Sequence, residues 1–537
     1  MQLAHEWLVR CESNHTECIQ KDINHFKYPM RLIDITDQAQ RLITLDMSSD
    51  TDVHYVALSH CWGTAQPLKT CRENIDRHIT YGMSQTELPA TFRDAIQVSR
   101  NLGFKYIWID SVCIIQDDHR DWEEQSSQMA SVYSNADLVL AAASSSSADE
   151  GFLGHNRLTR ESSVEIPSQS DNGQLLRLKY RLGPPLHMEN DAFIDPLDGD
   201  PLDMRGWALQ ERLLARRYLA FGRRELSWTC MESTHCECSC SEFRPDYRPA
   251  VDNIRKAKAA ARYFTGSKGA NIGQYWRDKV LTPYSRRFLT KPTDKLIALT
   301  AAASQLQSEF GVTYLAGLWK EDLILELLWY VAHFRVAIDR PSMRQENFYA
   351  PTWSWVSVDA PMSWHPFSSN QNIQEPLARV LEAFTHPSTI NPFGPVSAGH
   401  IKLEAIAQPA VARYDHAQGE WRVCMPEIDE SFSQVRFDTP LRITPSKEKG
   451  AQMERISVKR LRQGEKEGIQ VSEIAVTAVP LLLAKYSWKE DWYIEGLILQ
   501  ESLTRVGVFE RLGYFYLQNF HNDSHIRMME RREIDII

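Results

Sequence analysis

The sequence predicts an α/β protein: a parallel-sheet βαβ N-terminal domain, a helical middle and a β-rich C-terminal region. Three observations lead there. Between residues 55 and 143, short β-branched and aromatic runs alternate with amphipathic helical patterns, the signature of βαβ units. Residues 250–336 are rich in helix formers. From about 376 the apolar runs shorten to strand length. The expected parts are an N-terminal Cys/His-bearing segment (1–54), an α/β domain with insertions (55–240), a helical region (241–375) and the β-rich region (376–537).

Taken in order, Tyr55-Val-Ala-Leu-Ser-His60 reads as a buried strand. Pro89 to Leu102 reads as a helix. Pro89 stands near its start, Phe92, Ala95, Ile96 and Ser99 share a face, and Gly103 stops it. Lys105-Tyr-Ile-Trp-Ile-Asp110 is a second strand. Asp121 to Ala136 is a second helix with Trp122, Met129, Val132, Tyr133 and Ala136 on one stripe, and Leu138 to Ala143 a third strand. Thr159–Gln174 and Gly183–Asp203 are polar and carry Gly or Pro, so they read as loops. Helices are expected at Asp294–Phe310 and Glu321–Phe334. Strands are expected at Ile401–Ala405, Trp421–Met425, Val435–Phe437, Ile474–Lys485, Trp492–Leu499 and Val506–Leu517, with Lys447–Gly468 an exposed, charged excursion.

The 537 residues carry a net charge of −10. That balance argues against a nucleic-acid scaffold, which needs a basic face. No apolar run reaches the ~18 residues of a membrane helix. The N-terminal apolar stretch is interrupted by His5, Glu6 and Arg10, unlike a secretory signal. The expected compartment is the cytoplasm, where the ten cysteines would be reduced and their clusters read as metal or reactive sites.

Two polar clusters end predicted strands. Ser59-His-Cys-Trp-Gly63 follows the first, and Asp110-Ser-Val-Cys113 follows the second. Ligands of open parallel sheets bind outside the carboxyl ends of strands, so both clusters would face one crevice. A thiolate nucleophile needs a base or cation nearby. His60 and Cys61 cannot pair within one strand, because adjacent side chains point to opposite faces. Cys113 with His60 or His119 remains, against the reading of Cys61 and Cys113 as small core residues. Asp110 is either functional or a loop cap. Glu123 and Glu124 would place a carboxylate at the crevice mouth, but Asp121-x-x-Glu124 also has capping-box spacing. Arg205 and Glu211, within Arg205-Gly-Trp-Ala-Leu-Gln-Glu-Arg212, can position an anion and a hydroxyl or form an internal ion pair. The candidate catalytic residues are thus His60, Cys61, Asp110, Cys113, Glu124, Arg205 and Glu211.

Cys11-x3-His15-x2-Cys18 and the cluster Cys230, His235, Cys236, Cys238 and Cys240 offer thiolate and imidazole ligands for a tetrahedral structural zinc, alone or jointly. The candidate ligands are Cys11, His15, Cys18, Cys236, Cys238 and Cys240; partly buried thiols on a hairpin are the alternative. Walker A, G-x-G-x-x-G, G-x-S-x-G and H-E-x-x-H motifs are absent, which removes the commonest nucleotide, serine-hydrolase and zinc-protease readings.

Three ordered blocks carry a resemblance. Tyr55 to Gly63 resembles the opening block of the fungal heterokaryon-incompatibility (HET) domain. Leu88 to Ile96, Gly103 to Asp117, Trp122-Glu-Glu and Met129 to Ala136 resemble its central block, and Arg205 to Leu214 its closing block. Arg31-Leu-Ile-Asp34, Gly317-Leu-Trp319 and Trp353-Ser-Trp355 are similar to segments of longer family members. His60 stands where the family more often has Tyr. The resemblance implies a filamentous fungal protein of non-self recognition (vegetative incompatibility) and programmed cell death. It also implies a fold remotely like TIR domains, some of which cleave NAD through a helix-borne glutamate; Glu123 or Glu124 would take that part here. Other family members are encoded among biosynthetic genes. The alternatives are therefore an enzyme or accessory protein of fungal secondary metabolism, and a non-catalytic interaction scaffold. Expected partners are a protein or second copy of the chain, and a small-molecule ligand.

Overall fold

Every strand of the predicted βαβ core enters one eight-stranded sheet in the computed structural model. The structure describes residues 1–19, 28–45, 53–63, 68–154, 161–167, 175–181, 199–237, 272–332, 342–344, 348–364, 372–415, 420–425, 433–439, 441–444, 457–460, 473–486, 492–520 and 523–537. The chain divides into two compact units, Met1–Ala259 and Ala260–Ile537.

In the first unit, α1 (Gln2–Asn14) and α2 (Thr16–Ile19) precede β1 (Arg31–Asp34) and β2 (Arg41–Thr44). Ala4, Trp7, Leu8 and Cys11 recur at helical spacing and are the buried face of α1. Then follow β3 (Tyr55–Ser59), α3 (Ile75–Thr80), α4 (Ala90–Asn101), β4 (Tyr106–Trp108), α5 (Asp110–Cys113), α6 (His119–Asn135) and β5 (Leu138–Ala141). A separate hairpin, β6 (Glu161–Pro167) with β7 (Leu175–Arg181), leads to α7 (Gly206–Leu214), β8 (Arg217–Phe221), β9 (Leu226–Cys230) and β10 (Thr234–Cys236).

Strand order across the sheet is β10-β9-β8-β5-β3-β4-β1-β2. β4, β3, β5 and β8 are mutually parallel; β1, β2, β9 and β10 extend both edges antiparallel. The chain steps from β3 to β4 on one side, then crosses to β5 on the other. The topological switch point therefore lies beside β3, where an open α/β sheet forms its crevice. β3 and β5 are buried at every position, as a strand covered on both faces requires.

Several expected boundaries shift for identifiable reasons. The second helix starts at His119, because Asp118 caps it by accepting from the Arg120 and Asp121 amides at 3.1 and 3.3 Å. Asp121 is therefore no cap. Its carboxylate pairs with Arg31 at 2.5 Å and accepts the Ile115 amide at 2.8 Å. β4 ends at Trp108 because Asp110 already begins a helical turn. The Thr159–Gln174 stretch contains a strand, since Ser163-Val-Glu-Ile166 alternates in β register with 176–179. Gly183 to 198 lies outside the described residues.

In the second unit, α8 (Thr300–Phe310) ends at Gly311, which takes the left-handed conformation at φ 65°. The expected Glu321–Phe334 helix is only a short turn, Leu323–Glu326, followed by a strand, Trp329–Val331. Its apolar run has aromatic and β-branched members and pairs with Met362–Trp364; periodicity alone does not separate such a strand from a buried helix. The C-terminal strands are β11 (Asn372–Pro376), β12 (Arg379–Pro387), β13 (Val396–Ala405), β14 (Gln408–Asp415), β15 (Glu420–Cys424), β16 (Ser433–Phe437), β17 (Glu473–Tyr486), β18 (Trp492–Glu501), β19 (Val508–Phe520) and β20 (Arg532–Ile536). β14-β15-β16-β19-β18-β17 pair in a closed ring, a six-stranded barrel. Its core includes Ala412, Val423, Ile474, Leu483, Ile494, Ile498 and Phe515. Most of Lys447–Gly468 lies outside the described residues.

Candidate functional site

The carboxyl ends of β3 and β4 bring four of the seven expected catalytic residues, His60, Asp110, Arg205 and Glu211, into one polar network. Ser59, the last residue of β3, donates its hydroxyl proton to Glu211 on α7. Tyr133 of α6 hydrogen-bonds the same carboxyl, and its hydroxyl also lies 3.2 Å from the Leu58 carbonyl. Glu211 is 2% exposed. Burial pushes its pKa up to about 7, although Arg205 favours the charged form.

Asp110 forms the second half. Its carboxylate accepts the Trp62 indole N–H at 2.9 Å and the Ser111 amide at 2.7 Å. His60 Nδ1 lies 3.9 Å away and the Arg205 guanidinium 3.8 Å. Arg205 also donates to the His60 carbonyl, so one cation ties the turn after β3 to the start of α7. The Arg205 side chain is 25% exposed, and Cys61 and Trp62 are half-buried. Through them the network reaches the surface.

Gly63 lets this turn close. It has φ 82°, and a Cβ there would lie 2.4 Å from Ser147 Cβ in the segment after β5. The Ala148 amide also donates to the Trp62 carbonyl at 3.3 Å. The turn after β3 and the segment after β5 thus pack directly on each other at the switch point.

The His60 ring and the other three candidates have apolar or exposed surroundings. His60 is buried with Phe92 edge-on at 5.2 Å, and its Nε2 has no hydrogen-bond partner among the described residues. Burial lowers its pKa to about 4, so the ring is neutral at physiological pH. Burial raises Cys61 to about 11 and Cys113 to about 12. Both are thiols at neutral pH, whereas a nucleophilic cysteine needs a thiolate. Cys113 sits in α5, and its carbonyl accepts from Arg31 at 2.7 Å. Glu124 is exposed on α6, outside the buried network. Ser59 and Tyr133 belong to the same network and are not among the expected catalytic residues. Ser59 was visible in the strand-end motif; nothing local marked Tyr133, which reads as one more residue on an apolar helix stripe.

A second constellation lies at the other edge of the sheet. The ligand atoms of Cys11, His15, Cys18 and Cys230 all lie within 4.8 Å of one another, so the group could hold a metal ion. α1 delivers Cys11, the residue after α1 is His15, α2 delivers Cys18, and Cys230 ends β9. Hydrogen bonds from Cys11 and Cys18 hold the Cys230 thiol far below its usual range, while those to Cys11 and Cys230 raise Cys18. Cys236 is corrected as a ligand: its sulfur is held in a disulfide, which leaves no thiolate to offer and departs from the expectation of reduced cysteines. Cys238 and Cys240 lie outside the described residues.

Parallel strands, a switch point beside β3 and a polar network drawn from strand ends and α7 define an α/β domain. Residues 55–211 match the family model described as Heterokaryon incompatibility protein (HET). Over those residues the chain is similar to the HET domain. The match begins at β3 and ends at Glu211, so it spans both halves of the network. No curated protein and no solved structure matches the chain. No helix among the described residues is long and apolar enough to cross a membrane.

Proposed function

We propose that this protein acts in fungal vegetative incompatibility and programmed cell death through the crevice beside β3, with Glu211 as its acid–base group. One observation supports this above the others: a fully buried carboxyl, poised near neutrality, held by Ser59 and Tyr133 beside a partly exposed Arg205. A general base works best when its pKa lies near the working pH. The TIR analogy asks for a helix-borne glutamate, and Glu211 on α7 fits it better than the exposed Glu124.

The reaction under this reading is hydrolysis of the nicotinamide–ribose bond of NAD. Water adds to ribose C1′, nicotinamide leaves with the bonding electron pair, and the proton released by water passes to Glu211. Arg205 receives the pyrophosphate as a planar donor fork. A structural zinc in the Cys11/His15/Cys18/Cys230 cluster completes the reading and takes no part in the crevice chemistry.

The test is inducible expression in a filamentous fungus of the parent chain beside Glu211→Gln, with viability and NAD followed together. Death with falling NAD in the parent, and survival with steady NAD in an equally abundant variant, is the expected result. Healthy growth of the parent, or equal killing by both, overturns the proposal.

A further inference from the structure

Building on the zinc reading of the Cys/His cluster, we infer that Cys11, His15, Cys18 and Cys230 bind one Zn²⁺ tetrahedrally, that Arg217 balances the charge of this centre, and that the centre fastens α1 and α2 to β9. The donors come from two places far apart in sequence. Cys11, His15 and Cys18 follow one another at helical spacing, and the chain bends where α1 ends. The His15 amide donates to the Cys11 carbonyl at 3.1 Å and the Cys18 amide to the His15 carbonyl at 3.3 Å. That bend turns all three toward Cys230, whose Sγ lies 3.3 Å from His15 Nδ1. Three sulfurs and one imidazole nitrogen form a closed structural zinc set.

Two observations independent of the ligand count point to charged sulfur. The first is at Cys230. The Ser233 amide donates to Cys230 Sγ at 3.3 Å, and the Ser233 hydroxyl lies 3.2 Å from it. The turn between β9 and β10 thus aims an amide donor at a sulfur, which a metal-bound thiolate uses and a neutral thiol uses poorly. The second is Arg217. It is 4% exposed. Its guanidinium donates to Cys11 Sγ at 3.2 Å, to the Asp137 carbonyl at 3.1 Å and to the Cys18 carbonyl at 3.3 Å. A buried cation needs an anion close by, and among these three acceptors only the sulfur can carry a full charge. One Zn²⁺ with three thiolates and a neutral histidine has a net charge of −1, which one guanidinium cancels. Trp7, stacked on His235 at 6.0 Å, covers the same edge. α1 and α2 reach the sheet through this corner, which explains a Cys/His pair of segments flanking the 55–211 match on both sides.

The experiment uses the full chain purified under reducing conditions without chelator. Metal content, thiol count and the visible absorption of the Co²⁺-substituted protein are read for the parent, Cys230→Ser, Cys236→Ser and Arg217→Gln. The parent should hold about one zinc per chain and give a tetrahedral cobalt–thiolate spectrum. Cys236→Ser should keep its zinc, and Cys230→Ser should lose it. Arg217→Gln should bind zinc about 10–100-fold more weakly, the usual effect of removing a group that supports a metal ligand. Should Cys230→Ser fail to fold, chelator titration of the parent replaces it: zinc release must lower Tm, and added zinc must restore it. A folded, metal-free parent, or a disulfide between two of the cluster thiols, overturns the zinc reading itself. Zinc lost equally from Cys236→Ser overturns the ligand set. Unchanged zinc affinity in Arg217→Gln overturns the charge-balancing role alone.

Discussion

Glu211 accepts the hydroxyl proton of Ser59 across 152 residues of sequence. That bond joins the end of the central strand to α7. Because the carboxyl is buried, its protonation is coupled to folding. Its pKa rises from 4.5 unfolded to about 7 folded. The folded state therefore holds the proton more tightly. The resulting stabilisation is complete below pH 4.5 and is lost as pH rises to about 7. A shift of this size is worth about 3 kcal/mol. Denaturant unfolding of the parent and Glu211→Gln across this window should show the parent's stability falling relative to the variant. A constant difference with pH would show that the group is not buried as described.

His60 has the opposite sign. Burial lowers its pKa from 6.5 to about 4, so the unfolded chain binds the proton more tightly. Its cost is absent above pH 6.5 and grows as pH falls toward 4. His60→Phe should therefore gain stability over the parent on acidification and differ from it by a constant amount above pH 7. Parallel pH–stability curves would contradict the neutral, buried imidazole.

Gly63 combines a φ of 82° with a would-be Cβ contact of 2.4 Å to Ser147. Gly63→Ala carries both the left-handed penalty and a clash with the segment after β5, together about 2 kcal/mol or more. Thermal unfolding should show a Tm lowered by several degrees. An unchanged Tm would mean the two segments are not packed as described.

Arg31 and Asp121, side chains 6% and 11% exposed, pair at 2.5 Å. Arg31 also donates to the Cys113 carbonyl at 2.7 Å. Either truncation leaves a buried charge without its partner, at about 3–5 kcal/mol. Arg31→Met with Asp121→Leu should recover part of that loss. A double-mutant cycle in chemical denaturation measures the coupling, and a coupling near zero would mean the pair is solvated.

Asp110 holds Trp62, Ser111, His60 and Arg205 around one carboxylate. Asp110→Ala orphans the indole and the amide, at about 1–3 kcal/mol, while Asp110→Asn keeps an acceptor for one of them. Their Tm values should differ by several degrees. Equal values would show that the carboxylate does not organise the turn.

Much of the α/β core was legible in order along the chain, because its strands are short, apolar and separated by turn residues. Tyr55–Ser59 and Ala90–Asn101 fall within the expected limits. The strand-end motifs placed Ser59, His60 and Asp110 at one end of the sheet, since parallel strands present their carboxyl ends on one side. The short turn and strand over Leu323–Val331 were not legible, because a run apolar on all sides has no period to read.

Local chemistry thus determined which segments became strands or helices and which motifs carry the HET resemblance. What joins them was decided in three dimensions. Glu211 rather than Glu124 meets Ser59 because the crossover from β5 to β8 lays α7 against the end of β3. Cys230 rather than Cys236 joined the N-terminal Cys/His segment because β9 ends beside α1, while Cys236 is taken by a disulfide. The closure of six strands into a barrel follows likewise from which edges met. Sequence spacing reports which face of an element a side chain occupies. Only packing reports which distant element that face meets, and burial at that meeting sets the charge state on which the site's chemistry depends.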